Sequence, residues 1–72
     1  MDRKAALLKK LGARIKKIRM EHGLSQSQLA NEIDKDQQSI QRVEAGKINP
    51  SYYYLCEIAD GLDVNIKEFF SN

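Results

Sequence analysis

Tryptophan is absent, and cysteine, histidine and proline occur once each, as Cys56, His22 and Pro50. One cysteine excludes an intramolecular disulfide. One cysteine with one histidine also excludes a zinc site of the usual Cys/His spacings, and no cofactor is expected. No apolar run approaches the ~18 residues a membrane-spanning helix needs. No signal-peptide pattern opens the chain either, because lysines flank Leu7 and Leu8 closely. A soluble cytoplasmic protein is therefore expected, and an unpaired cysteine agrees with a reducing compartment. A phosphate loop, a Ser/His/Asp set and a metal cluster are all missing, so the chain does not read as an enzyme. Without disulfides or metals, a 72-residue chain is left with helix packing and dimerisation as its sources of stability. A domain this short buries only about 60% of the surface its unfolded chain exposes, so the core is marginal.

Acidic residues are nearly missing from the first nineteen positions. Arg3, Lys4, Lys9, Lys10, Arg14, Lys16, Lys17 and Arg19 stand there against Asp2 alone, a local charge of +7. From residue 20 onward, four basic residues face nine acidic ones, a charge of −5. The net +2 conceals this asymmetry. A basic leading segment on an acidic body suits an oriented anionic partner, either a phosphate backbone or a membrane surface, and equally suits a solvated helix face.

Helical periodicity runs throughout, with no strand alternation. Leu7, Leu8, Leu11, Ile15 and Ile18 form one stripe, predicting a helix from about Ala5 to Glu21 that ends at His22-Gly23. Ser25 and Gln28 make a capping box, and Leu24 with Leu29 a hydrophobic staple, at the head of a second helix, Gln26 to Ile33. Asp34-Lys35-Asp36 reads as a tight turn, with Asp36 capping a third helix from Gln37 to about Ala45 that Gly46 stops. After the loop Lys47-Ile48-Asn49-Pro50, Ser51 caps a fourth helix, Tyr52 to about Asp60. Tyr52, Leu55, Ile58, Ala59 and Leu62 are its expected inward residues, and Gly61 loosens its end. Asn65 and Glu68 predict a short fifth helix. One all-α domain over residues 1–72 is expected, with residues 1–10 either extending the first helix or forming an arm.

Two short helices joined by a three-residue turn cross steeply, as a helix-turn-helix does. Ile40 and Val43 of the third helix then face the core, and Gln37, Gln38, Gln41, Arg42 and Ala45 face outward. Such a helix fits the major groove of DNA, where glutamine pairs bidentately with adenine and arginine with guanine. Glu44 lies on the inward side. A lone carboxylate there is costly, so it needs a partner.

Residues 11–70 resemble the Xre/Cro-type family of bacterial and phage repressors, through the ordered segments LGARIKKIR, GLSQSQLA, QQSIQRVEAGK, NPS and LCEIADGLDVNIKEFF. The resemblance implies a five-helix, lambda-repressor-like fold and operator binding, usually as a two-fold dimer. It further implies base readout by Gln37, Gln38, Gln41 and Arg42, and backbone contact by Gln26, Arg19, Lys47, Asn49 and Ser51. Gln26 also braces the recognition helix in this family, and Arg19 with Glu44 joins the first helix to the third. The expected function is a sequence-specific DNA-binding transcriptional regulator, a repressor on a palindromic operator. The seam of the homodimer would run through Asp63, Val64, Ile66 and Phe70. Two positions depart from the family: Asp34 replaces its usual glycine, and Asp36 its usual serine or threonine. These acids flank the face that phosphates would approach, so weaker, strongly salt-dependent binding is expected. Two other readings share the pattern: an antitoxin or immunity protein that also binds a protein partner such as a toxin, and a helix-turn-helix used only for protein contact. A membrane surface is excluded as partner of the first helix, since Ile15 and Ile18 are needed in the core.

Overall fold

The structure, a computed structural model, describes residues 2–70. Four α-helices, α1 (Arg3–Glu21), α2 (Gln26–Glu32), α3 (Gln37–Glu44) and α4 (Tyr52–Leu62), are followed by a 3-10 helix, Ile66–Phe70. No strand occurs among the described residues. The core is one cluster to which every element contributes: Ile15 and Ile18, Leu29 and Ala30, Ile40 and Val43, four residues of α4, and Phe69.

Each α-helix starts on an oxygen-bearing cap. Asp2, Ser25, Asp36 and Ser51 accept from the backbone N–H of Lys4, Gln28, Ser39 and Tyr54. The Ser25–Gln28 box is reciprocal, with the Gln28 side chain accepting from the Ser25 N–H at 2.8 Å. Each α-helix also ends alike. A residue with left-handed backbone follows the last turn, and the next N–H folds back onto a carbonyl five residues earlier. Gly23 and Gly46 occupy that position after α1 and α3, while Asp34 and Asp63, both at φ 58°, occupy it after α2 and α4. The closing bonds are Leu24 N–H to the Arg19 carbonyl, Lys35 to Ala30, Lys47 to Arg42 and Val64 to Ala59.

Five expectations need correction. The fifth helix is a 3-10 turn, so there are four α-helices and not five. Asn65 accepts from the Lys67 N–H, two residues on, while Glu68 reaches across to Arg14 and forms no capping box. Five residues held in this way close a tight turn without propagating an α-helix. The first helix begins at Arg3, before Ala5, because Asp2 caps it. Its stripe is narrower than expected: Leu7 is 52% exposed, lying beyond the reach of the core. The fourth helix runs through Gly61, where a Cβ would lie 2.5 Å from Ile33, so this glycine serves close packing and does not loosen the end. Finally, Tyr52 is 71% exposed, and the half-buried ring is Tyr54. Tyr54 packs against the core one turn before Ile58, and its hydroxyl finds a partner on α3.

The left-handed aspartate after α2 leads to a first expected result. An L-residue at φ 58° is strained where glycine is not. Asp34→Gly should raise stability by up to about 1 kcal/mol. It should also tighten DNA binding at low salt, because it removes a negative charge just before α3. Thermal melting and a duplex titration read the two effects; a lower melting temperature would show that the Asp34 side chain outweighs its backbone strain.

Candidate nucleic-acid interface

The turn Ile33–Asp36 sets α3 across α2, and α3 divides cleanly by burial. Ile40, Val43 and Glu44 are buried, while Gln37, Gln38, Gln41, Arg42 and Ala45 are exposed. The expected reading residues thus share the outer surface of one helix. Gln38, Gln41 or Arg42, and Ala45 recur at three- and four-residue spacing along it.

Beneath this surface lies a polar network that determines how the helix is held. Arg19 and Glu44 are only 7% and 8% exposed. Arg19 Nε donates to Glu44 Oε2 at 2.6 Å and its Nη2 to Oε1 at 3.0 Å, a two-pronged pair between α1 and α3. Arg19 Nη1 donates to the Leu24 carbonyl at 2.7 Å, which adds the entry to α2. Three of the five guanidinium N–H groups of Arg19 are thereby engaged inside the protein, which holds α1, α3 and the entry to α2 together.

Gln26 extends the network to the surface. Its Nε2 donates to Glu44 Oε1 at 3.0 Å, and its Oε1 accepts from Gln37 Nε2 at 2.7 Å. The order of donors follows from Glu44. An ionised carboxylate only accepts, so Gln26 must turn its amide nitrogen inward and its oxygen toward Gln37. Gln37 must then donate through its nitrogen. That leaves the Gln37 oxygen and one amide hydrogen for an outside partner, the acceptor and donor that the adenine edge requires. A buried charge therefore sets the polarity of an exposed glutamine through one intervening side chain.

The other end of α3 is braced from α4. Ser39 Oγ and Tyr54 Oη are 2.6 Å apart. Lys35 Nζ sits 5.7 Å over the Tyr54 ring and 3.6 Å from Glu57 Oε1, tying the turn before α3 to the same support. Sequence reasoning did not identify Tyr54 as this brace. The only signal was three consecutive tyrosines, one of which had to pack. It also missed Gly12, whose Cβ would lie 2.4 Å from the carbonyl oxygens of Val43 and Glu44. The signal there was a glycine inside a strongly helical stripe. Away from this surface, hydrogen bonding to the Cys56 side chain one turn on, and repulsion between the two groups when both are ionised, raise the pKa of the exposed Tyr52 phenol above its ordinary value.

Lys47, Asn49 and Ser51 are exposed in the loop after α3. Gly46 starts this loop at φ 72°, where a Cβ would also come within 2.8 Å of the Lys9 backbone. The loop is thereby pressed against α1. No buried side-chain nitrogen or oxygen among the described residues lacks a hydrogen-bond partner. The polar atoms left over are on the outside.

Comparison with known proteins gives a consistent picture. Residues 15–69 match a family model described as helix-turn-helix. The chain is 38% identical over 64 residues to the control protein C.MunI of a Mycoplasma species, covering 88% of this chain and 86% of that protein. Its structure is similar to that of the restriction-modification controller protein C.AhdI from Aeromonas hydrophila, with 35% identity, a TM-score of 0.88, and coverage of 90% of this chain and 98% of that one. It is also similar to the restriction-modification controller protein C.Esp1396I, solved as a tetramer in complex with its natural 35 base-pair operator (34% identity, TM-score 0.78, coverage 90% and 96%).

Proposed function

The chain belongs to the helix-turn-helix family, and from that premise we propose that it is a transcriptional regulator that binds operator DNA as a homodimer, as a controller protein of a restriction-modification system does. One observation carries this reading. Four side chains suited to base edges, Gln37, Gln38, Gln41 and Arg42, share the exposed surface of a helix whose inner side is locked by Arg19, Glu44 and Gln26. Backbone contacts fall to Gln26, Arg19, Lys47, Asn49 and Ser51 around that helix. In a two-fold dimer the recognition helices would enter successive major grooves about 34 Å apart. Phe70, 61% exposed beside Phe69, is the aromatic available to the dimer seam. No step in this function needs catalysis. No helix among the described residues is long and apolar enough to cross a membrane, and the site of action is proposed to be the cytoplasm.

Selection of bound duplexes from a randomised pool tests the proposal, followed by salt titration of the enriched site. A two-fold-symmetric site should emerge. Binding that ignores sequence and vanishes by moderate salt would reduce the interface to bulk electrostatics. Gln38→Ala should relax preference at one base position per half-site, by about 1–3 kcal/mol for a bidentate contact. An unchanged selected motif would remove Gln38 from the readout.

A further inference from the structure

We infer that the first turns of α1, through Arg3, Lys4 and Lys9, form a second DNA-backbone contact that continues the loop after α3 and engages phosphates flanking the half-site. The inference rests on the DNA-binding reading and extends it to residues outside the helix-turn-helix.

Three observations support it. First, α1 and the loop are one surface. Gly46 approaches Lys9 so closely that a Cβ would lie 2.8 Å from the Lys9 Cα and 2.9 Å from its Cγ. Arg3, Lys4 and Asn49 line a common cleft of about 330 Å³. Any phosphate backbone lying along Lys47 and Asn49 would therefore pass beside α1. Second, the charges there are unanswered. The three ion pairs among the described residues are Arg14–Glu68, Arg19–Glu44 and Lys35–Glu57. None involves Arg3, Lys4 or Lys9, all of which are exposed.

Third, the placement opposes local helix energetics. The positive end of a helix dipole favours acids, yet the first turn of α1 carries Arg3 and Lys4 and no acid beyond its Asp2 cap. The chain has nine acids after residue 19, and none of them pairs with this segment. Local conflict of this kind belongs to sites where an external partner resolves it. The partner chemistry is a row of phosphodiesters, singly charged and regularly spaced, which flexible lysines and an arginine neutralise without reading sequence.

The test compares substitutions that remove the same single charge from different places. Log K is measured against log salt concentration on the selected duplex for the wild type, Lys9→Ala, Arg3→Ala and Lys17→Ala. Lys17 is exposed further along α1, beside Met20 and Glu21. Each lost phosphate contact should reduce the slope by about 0.9. Lys9→Ala and Arg3→Ala should do so, Lys17→Ala should leave the slope unchanged, and the selected base motif should stay the same throughout. Lengthening the duplex beyond the half-site should strengthen wild-type binding and not that of a combined Arg3→Ala, Lys4→Ala, Lys9→Ala variant. Equal slopes for Lys9→Ala and Lys17→Ala overturn the inference, because the basic segment then acts only as diffuse charge; so does an unchanged slope for all three. Those outcomes leave the operator reading standing. A wild type that selects no site overturns the operator reading itself, and this inference with it.

Discussion

Glu44→Ala should lower the melting temperature by at least about 12 °C and erase the preference at one base position of the operator even in the fraction that stays folded. The first effect follows from what the substitution leaves behind. Arg19 is 7% exposed and keeps only its bond to the Leu24 carbonyl. An uncompensated buried charge of this kind costs about 3–5 kcal/mol. For a domain of 60–100 residues each kcal/mol moves the melting temperature by roughly 4–8 °C. The second effect follows from the amide relay. Without Glu44, Gln26 has no acceptor to fix its orientation, and Gln37 no longer has a fixed donor and acceptor to offer. The two effects can be separated. An Arg19→Met, Glu44→Leu double variant should recover most of the stability, since apolar residues of similar size often replace a buried ion pair without loss. It should not recover the preference at the base position proposed for Gln37. If the double variant selects the wild-type motif, the relay does not orient Gln37. If Glu44→Ala melts within about 4 °C of the wild type, the pair is not the structural link its geometry suggests.

Gly12→Ala should destabilise the protein, against the sign that helix propensity alone gives. Alanine in the interior of a helix is favoured over glycine by about 1 kcal/mol, so a purely local view expects a gain. The structure reverses the sign. A Cβ at residue 12 would lie 2.4 Å from the carbonyl oxygens of Val43 and Glu44 and 2.7 Å from the Glu44 carbonyl carbon. These are backbone atoms, which cannot move aside as a flexible side chain can. The last turn of α3 must shift away from α1, at a net cost of about 1–3 kcal/mol or more. Because α3 carries the proposed reading surface, affinity for the selected operator should fall with stability. Thermal melting distinguishes the two views directly: a higher melting temperature for Gly12→Ala would mean that the helices do not need this approach.

Much of this architecture was legible one residue at a time. The caps Ser25, Asp36 and Ser51 and the stop at Gly46 are read from local chemistry, because a backbone N–H at a helix start needs an acceptor within three residues. The outward set on α3 follows from the positions of Ile40 and Val43, since burying one side of a helix exposes the other. Three of the errors have a common origin. Tyr52 and Tyr54 both fit helical periodicity near Ile58, and only the position of Ser39 across the domain selected Tyr54. Leu7 matches its stripe, but the core does not extend to the first turns of α1. Gly61 looks like a helix breaker until Ile33 is placed against it. In each case the deciding contact lies far along the chain.

By itself, the sequence determined the four α-helices, their order and which residues of α3 face outward. All of these are consequences of short-range hydrogen bonding and of periodicity, which operate within a few residues. Only the tertiary structure decided how that outward face is held. It brought Arg19 to Glu44 across 25 residues and Gln26 to Glu44 across 18, which oriented Gln37. It also brought Lys9 against Gly46, which joined the basic first helix to the loop beside that outward face. Hydrogen-bond direction and close backbone approach depend on distances between helices, and those distances are set by packing in three dimensions.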